Sequence, residues 1–427
     1  MNRLLRMTVF LLAVGALLDG GCRRPPRTEG PVVTIHVADW GGASADEKSN
    51  QINADILREF HRLHPNIRVQ MEHMPDAYVQ KVMMTLLAGT QPDVIALDAS
   101  SAAIFINNNA LQDLTPFIEK DKSMDLGVFY PNVLNIARRG KALYALPANF
   151  TPMMMYYNRA SFQKAGVPEP KDGWTWDDFR RSADSLTIRK RGKPVQYGFN
   201  VTNWMPGWIT WIWQNGGDVL SPDGKRAHGY LDSEKSIAAI TFYTDFVKNG
   251  MAPTTSEAQA MGTSNFQAGR VAMDVNGHWM IPSYRANEIY RFEDIGVVGL
   301  PRQANRVTVM YESGPAMMKG CKHPQEAYEY IKFVTGPYVQ RKTSEQGLGI
   351  SANRKIAEEF RGASPLEPMF LDNIQYARGP WGARVEQYAL VEDIGREAID
   401  EILLGRSTPT VALRNAARRI DIQLGED

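Results

Sequence analysis

The first hundred residues alternate short apolar runs with helical segments, and this order restricts the fold more than any other feature. Residues 32–37, 67–71 and 92–97 are apolar or β-branched runs, which is typical of strands. Residues 44–63 and 76–88 between them have the pattern of helices. A helix after each strand predicts a parallel, doubly wound α/β sheet, in which ligands bind beyond the carboxyl ends of the strands.

Residues 266–280 (FQAGRVAMDVNGHWM) combine a helix end, a strand and a turn that presents an aromatic ring. Gly269 suits the end of a helix, where a positive φ is common. Residues 271–275 alternate as along a strand, and an Asn-Gly turn then leads to Trp279. We expect this ring at a strand end, where a ligand would bind, with a core tryptophan as the alternative.

Further along the chain, residues 148–152 lie between two predicted strands, at 141–147 and 153–157, and form a candidate crossover between domains. Thr175 and Asp178 have the spacing of a capping box at a helix start. The other patterns predict strands at 197–201, 295–299 and 307–311, a loop at 312–314, and helices at 233–249, 325–335, 391–404 and 410–424.

Four tryptophans fall within ten residues, at positions 204, 208, 211 and 213. The spacing of Trp208, Trp211 and Trp213 suits the buried face of a helix. We therefore expect those three in a core, and Trp204 as a candidate ligand contact.

The N-terminus predicts an exported lipoprotein. Residues 1–21 form a secretory signal peptide, with an apolar run too short to span a bilayer. Small residues precede Cys22, the expected lipidation site, although Asp19 departs from the leucine usual at its position. Residues 22–30 are polar and proline-rich, as in a tether between membrane and fold. We expect the protein in the periplasm or at the cell surface, anchored to the membrane through this lipid.

The 48 lysines and arginines nearly equal the 47 acidic residues, so the basic excess of a nucleic-acid-binding protein is missing and we expect no nucleic-acid partner.

Nine short motifs occur in the order that they have in one protein family. They are IxxxxWG at 35–41, FxxxxPxIxV at 60–69, GxxPDV at 89–94, GKALYALP at 140–147, YYN at 156–158, TWDDF at 175–179, GG at 216–217, the stretch 266–280, and LxGxxxxxxAL at 403–413. In this order the chain resembles the extracellular solute-binding proteins of ATP-driven sugar importers, the maltose-binding type.

The resemblance implies a two-lobe periplasmic-binding-protein fold, each lobe a mainly parallel sheet flanked by helices, with a ligand cleft between the lobes. It implies lobe 1 at 31–149 and 309–345, and lobe 2 at 150–308 and 346–427. Such a protein captures a sugar or oligosaccharide by lobe closure and delivers it to the membrane permease of an ABC transporter. The resemblance implies a monomer without catalytic residues, metal or cofactor.

The resemblance also places ligand contacts on loops that end strands. The positions are Trp40, Asp98, Ser100, Asn149, Thr151, Trp204, Trp279, Tyr311, Glu312, Ser313, Trp381, Gly382 and Arg384. A sugar suits such a set, because its C–H face packs on a ring and its hydroxyls pair with carboxylates, amides and guanidinium groups. Core packing is the alternative for the tryptophans, and a helix N-cap is the alternative for Asp98.

Two other functions stay open. Asp39, Glu72 and Asp98 could pair as the acid and base of a saccharide-acting enzyme. The same fold could also bind a non-sugar such as a polyamine, ferric ion or glycerol phosphate, whose phosphate could meet Arg384. The sequence lacks the motifs of zinc proteases, phosphate-binding loops and serine hydrolases.

Overall fold

The computed structural model of the protein describes residues 31–40, 47–260 and 265–425. The predicted signal peptide, Cys22 and the tether lie outside these residues. The strands are β1 Val33–Asp39, β2 Ile67–His73, β3 Val94–Asp98, β4 Arg138–Arg139, β5 Ala142–Leu143, β6 Asn149–Pro152, β7 Met154–Asn158, β8 Ile188–Lys190, β9 Lys193–Gln196, β10 Met273–Asn276, β11 Ile295–Val298, β12 Thr308–Met317, β13 Ile350–Ser351 and β14 Ala377–Arg378.

The α-helices flank these strands, and short 3-10 turns occur between them. They are α1 Glu47–Leu63, α2 Tyr78–Leu87, α3 Ala102–Asn107, α4 Thr115–Lys120, α5 Pro131–Leu134, α6 Arg159–Ala165, α7 Trp176–Leu186, α8 Met205–Gln214, α9 Glu234–Lys248, α10 Thr255–Gln259, α11 Ile281–Arg285, α12 Pro324–Val334, α13 Pro337–Gln346, α14 Arg354–Glu359, α15 Glu367–Asn373, α16 Tyr388–Leu403 and α17 Pro409–Leu424. Within the ranges given above, no helix has both the length and the apolar character needed to cross a membrane.

The larger sheet has the strand order β13-β6-β12-β3-β1-β2, and β14 pairs with one end of β12. Strand β1 pairs in parallel with β2 and β3, as the alternation of strands and helices predicts. Strands β12, β6 and β13 add antiparallel pairs on the other side. The carboxyl ends of β1 and β3 therefore lie at the same edge of the sheet, and they bring Trp40 and Asp98 there.

The smaller sheet, β10-β7-β11, is antiparallel throughout. The expectation of a mainly parallel sheet in each lobe is therefore wrong for this part of the molecule. Strand β7 lies between β10 and β11, which occur much later in the chain. Each of them pairs with β7 in the antiparallel direction. Sequence periodicity identifies such strands but does not fix their direction.

The buried apolar side chains form two cores, and several chain segments contribute to both. The first core lies around β1, β3 and β12, and the second lies around α7, α8, α9 and α16. Strand β12 passes from the second core at Val309 to the first core at Met310. The segment β6–β7 crosses likewise, with Phe150 in the first core and Met153 in the second.

Helix positions are predicted well because their capping residues and apolar faces are local features. Ser233 accepts a hydrogen bond at the start of α9, and Thr175 and Asp178 form both bonds of the predicted capping box. Gly269 has a φ of +65°, as expected at the end of the preceding turn.

Several predicted strand bounds differ from the structure. Residues 312–314, predicted as a loop, lie inside β12, where β6 and β3 pair on either side. The predicted crossover 148–152 contains β6, a strand of the larger sheet. The predicted strand at 197–201 is absent from the described structure. Tyr197 forms only an isolated bridge with Val271, and a Cβ on Gly198 would lie 2.0 Å from the Ala183 carbonyl. Tertiary packing overrides local propensity at each of these places.

Two strands pair across the implied lobe boundaries. The resemblance places residues 150–152 and 350–351 in lobe 2. In the structure β6 and β13 pair with each other in the larger sheet, which also contains the lobe 1 strands β1, β2 and β3. Asn353 also forms a bridge with Phe129, a residue of the first core.

Candidate ligand-binding site between the two cores

Three of the predicted aromatic residues form one cluster where the two cores meet. Trp204 stacks with Tyr311 at a centroid distance of 5.9 Å, and Trp279 meets Trp204 at 6.2 Å and Tyr311 at 6.3 Å. Trp204 is 41% exposed, while the other two rings are half-buried. We call Trp204, Trp279 and Tyr311 the aromatic cluster. Its rings come from three separate elements, and some of their surface stays open to a ligand.

Local contacts hold Trp279 in place. The ring lies over Gly277, where a Cβ would come within 2.4 Å of it, so the glycine leaves room for the indole. The Gly277 carbonyl accepts a hydrogen bond of 2.9 Å from the Tyr156 hydroxyl. The next residue, His278, donates its backbone N–H to Thr151 and pairs through Nε2 with Glu367 at 2.9 Å. The turn is thus fixed to the crossing segment β6–β7 on one side and to α15 on the other.

Trp40 lies apart from the aromatic cluster. Its ring meets Tyr78 edge-on at 5.3 Å, and it is 39% exposed. It borders a cavity of about 170 Å³ that Ala148 and Ser313 also line. Within the described part of the chain no ring contact links Trp40 with Trp279, and a ligand contact for Trp40 stays a prediction.

Asp98 holds the loop that leads from β3 to α3. Its Oδ1 atom accepts hydrogen bonds from the backbone N–H and the hydroxyl of Ser100, at 2.8 and 2.6 Å, and from the same two groups of Ser101, at 2.9 and 3.0 Å. Both serines precede α3, and Ser101 is its N-cap residue, so the N-cap alternative for Asp98 is wrong. The carboxylate therefore orients the loop after β3, and any contact with a ligand is additional to that role.

The crossing strands carry four more predicted residues, and most of their polar atoms are already bonded. Ser313 donates to Asn149 at 3.1 Å. Thr151 is buried, donates to the Pro152 carbonyl and accepts from the backbone of His278. These contacts join β6, β12 and the Trp279 turn, so they stabilise the crossing and position the aromatic cluster.

Glu312 is the fourth, and its carboxyl group is only 5% exposed. Among the described residues no hydrogen bond or ion pair to this carboxyl group is found. Burial, and then repulsion by Asp98, raise its pKa well above the usual range. This environment favours the neutral form of the carboxyl group.

The loop 381–384 is fixed by packing. Trp381 is 2% exposed and donates its Nε1–H to Asp218 at 2.8 Å. A Cβ on Gly382 would lie 2.0 Å from the Ser100 carbonyl, so the loop touches the segment after β3. Arg384 packs over the Trp381 ring at 4.3 Å. The structure thus gives Trp381 and Gly382 packing roles, and a ligand contact for them stays a prediction.

Sequence reasoning missed Glu392 on α16, since a glutamate on an amphipathic helix carries no distinguishing signal. It is half-buried, and burial, followed by repulsion from Asp98 and Asp393, raises its pKa to about 7. The pKa of Tyr311 is raised by burial first and then by the nearby Tyr388, Glu392 and Asp98. Glu392 therefore lies close to both Asp98 and the aromatic cluster, at the junction of the cores.

Within the ranges that the structure describes, no group of three or more histidine, cysteine, aspartate or glutamate side chains could hold a metal ion. Asp39 and Glu72, two of the three carboxylates considered for acid–base chemistry, contact His73 at 2.6 Å and His36 at 2.7 Å.

Known proteins resemble this chain over most of its length. The multiple sugar-binding protein of Streptococcus mutans is 24% identical over 343 residues, which are 74% of each chain. The sn-glycerol-3-phosphate-binding periplasmic protein of Yersinia pseudotuberculosis is 23% identical over 79% of this chain and 80% of that protein.

Among solved structures, an ABC substrate-binding protein of Listeria monocytogenes in complex with cycloalternan matches with a TM-score of 0.83 and 22% identity, over 93% of this chain and all of that chain. The likeness confirms the two-lobe α/β fold that the motifs implied.

The family model of the bacterial extracellular solute-binding proteins matches residues 43–341. Since that match spans well over half of the sequence, the chain belongs to this family.

Proposed function

We propose that this protein is the substrate-binding component of an ABC importer, which captures a sugar or oligosaccharide between its lobes and delivers it to a membrane permease. The aromatic cluster carries the proposal. Three rings with partly open faces stand where the two cores meet, and they offer stacking surface to the C–H face of a sugar.

Polar groups beside the rings complete such a site. Glu312, Glu392 and Asp98 lie close enough to influence one another's pKa or that of Tyr311. Sugar hydroxyls donate to carboxyl oxygens of this kind, and a ligand would supply partners that the Glu312 carboxyl group lacks among the described residues.

Two similar proteins support a carbohydrate ligand. One relative is a multiple sugar-binding protein, and the Listeria protein was solved with cycloalternan. We extend this ligand class to the present chain because the family and the fold are shared and the aromatic cluster fits it.

Lobe closure would occur about the crossing segments. Strand β12 and the segment β6–β7 both pass between the cores. We propose lobe 1 at 31–149 and 309–345 and lobe 2 at 150–308 and 346–427, with the paired strands β6 and β13 close to two of these boundaries. Ligand contacts with both lobes would favour the closed form.

The test is isothermal titration of the mature protein against a panel of neutral and acidic mono- and oligosaccharides. We expect one sugar to bind, and Trp279→Ala to weaken that binding by about thirtyfold, the usual effect of removing a central aromatic contact. Tyr338→Ala is the matched control, since Tyr338 is an aromatic residue of α13 that is 40% exposed outside the cluster. Loss of affinity in both variants, or no binding by any sugar, would contradict the proposal.

Two alternatives have their own tests. The glycerol-3-phosphate-binding relative makes a phosphorylated polyol the second candidate ligand, and glycerol 3-phosphate therefore belongs in the panel. An enzyme acting on saccharides is the third candidate. A binder releases its ligand unchanged, so product formation from the bound sugar would replace the transport proposal with the enzyme.

We also propose export by the N-terminal signal and anchoring through lipidated Cys22. The sequence pattern of residues 1–22 supports this. Cys22→Ser should release the protein from membranes, and a variant that stays membrane-bound would contradict the anchor.

A further inference from the structure

A second cavity, of about 650 Å³, lies beside the loop 381–384 and is lined by four arginines. Arg138 and Arg139 form strand β4 and flank residues of the first core. Arg378 and Arg384 lie on either side of Trp381, a residue of the second core. The other described lining residues are asparagines 132 and 135 and uncharged residues, so no carboxylate of the described chain lines the cavity. We call it the arginine cavity.

Only one of the four guanidinium groups has a carboxylate partner among the described residues. Arg378 pairs with Asp218 at 2.8 Å. Arg138 donates to the side-chain oxygen of Asn135 at 3.1 Å. The guanidinium group of Arg384 lies over the Trp381 ring, and no side-chain hydrogen bond or ion pair of Arg384 is found with the described residues.

Arg139 joins the two sides of the cavity without neutralising its charge. Its guanidinium group donates to the carbonyl groups of Ile136 and Arg138, at 3.0 and 2.8 Å, and to that of Ala383 across the junction. Burial lowers the pKa of Arg139, and burial followed by repulsion from Arg378 lowers that of Arg384. Both shifts show that positive charge is held here with part of its water removed, which an anion would compensate.

We propose that the arginine cavity binds an oxyanion, a carboxylate or a phosphate, that is carried by the ligand of the neighbouring cleft. The planar forks of Arg138 and Arg384 can each bind two oxygens of such a group, from opposite sides of the junction. The inference rests on the proposed function in that the carrier is a carbohydrate, which makes the substrate class an acidic sugar: a uronic acid or a sugar phosphate. Because both sides contribute, the bound anion also stabilises the contact between β4 and the loop 381–384.

The test uses inorganic phosphate, galacturonate and galactose as probes of the mature protein, by isothermal titration and tryptophan fluorescence. Trp381 and Trp213 lie 4.3 Å from the guanidinium carbons of Arg384 and Arg378, so occupancy should change their emission. We expect saturable binding of phosphate, of galacturonate or of both, and at least about tenfold weaker binding of galactose. Binding of phosphate alone indicates a phosphate ester, and binding of galacturonate indicates a uronic acid.

Arg138→Gln and Arg384→Gln should each weaken anion binding by about tenfold, because each removes a charge-assisted hydrogen bond. Arg396→Gln is the control, since that arginine pairs with Asp393 on α16, away from the cavity lining, and it should leave anion binding unchanged. Unchanged anion affinity in both cavity variants, or no binding of either anion, overturns the inference.

The outcome is separable from that of the proposed function. If a neutral sugar binds, Trp279→Ala abolishes its binding and no anion binds, the sugar-binding function is supported and the anion site is contradicted. If phosphate binds through Arg138 and Arg384 but no sugar binds, the anion site is supported and a carbohydrate ligand is contradicted.

Discussion

Trp204 and the three tryptophans that follow it belong to one short stretch, yet they occupy opposite environments. Trp208, Trp211 and Trp213 lie within α8 and are 0%, 1% and 2% exposed, whereas Trp204 precedes the helix and is 41% exposed. All ten residues of α8 are buried, so an indole on any face of this helix packs against protein. The residue before the helix has extended backbone, and its ring points to Trp279 and Tyr311 instead.

The difference shows that the position of an aromatic ring relative to its secondary-structure element decides its role. Trp211 packs against Trp176, Phe179, Phe199 and Tyr243 and donates its Nε1–H to Gly207, so its surface is fully used. Trp204 keeps part of its surface open. We therefore assign stability to the first ring and ligand binding to the second, and the variants below test that division.

Trp211→Ala should have the largest effect on stability. Removing this buried ring leaves a cavity among the surrounding aromatic residues, which costs about 3–5 kcal/mol of the free energy of unfolding. Urea denaturation at equilibrium measures the loss. Trp204→Ala serves as the comparison and should cost less than about 1 kcal/mol. Equal losses of unfolding free energy in the two variants would contradict the distinction between a core ring and a ring of the aromatic cluster.

Trp204→Ala should have the next largest effect, on affinity alone. Its ring stacks with Tyr311, and loss of this contact surface should weaken sugar binding by about 2 kcal/mol, or thirtyfold. The ligand found in the sugar panel is titrated into the folded variant. Wild-type affinity would show that Trp204 is merely exposed and would restrict the site to Trp279 and Tyr311.

Glu392→Gln should have the smallest effect, and one that depends on pH. The pKa of Glu392 is raised from 4.5 to about 7 in the folded protein. Its stabilising contribution is therefore complete below pH 4.5 and is lost as the pH rises through about 7. The wild type should lose on the order of 1 kcal/mol more than the variant across this range, after allowance for solvent screening. If the stability curves of the wild type and the variant run parallel from pH 4.5 to about 7.5, Glu392 is solvated in the folded protein.

Much of the fold follows from local sequence signals. The apolar runs around Ile35, Ile67 and Val94 and the helices between them predict parallel strands, and the structure confirms that β1 pairs in parallel with both β2 and β3. The antiparallel partners were not predictable in this way. Residues 312–314 have a composition typical of loops, and they are strand residues only because β6 and β3 supply hydrogen-bond partners from distant parts of the chain.

Sequence signals likewise predict some residues of the candidate site and miss others. Trp279 was recognised because a strand and an Asn-Gly turn precede it, and the structure places it in the aromatic cluster. The sequence indicates Asp98 as a loop residue, but it does not predict the four hydrogen bonds by which Asp98 holds Ser100 and Ser101 ahead of α3. Glu392 and the arginine cavity depend on distant segments meeting at the junction, for which the sequence contains no local signal.

The most direct test of the central claim is a crystal structure of the protein with the sugar that the titrations identify. We expect a pyranose ring between the lobes, packed against Trp204, Trp279 and Tyr311, with its hydroxyls within hydrogen-bonding distance of Glu312 or Glu392. A sugar bound elsewhere, with these three rings making contact only with one another, would contradict it.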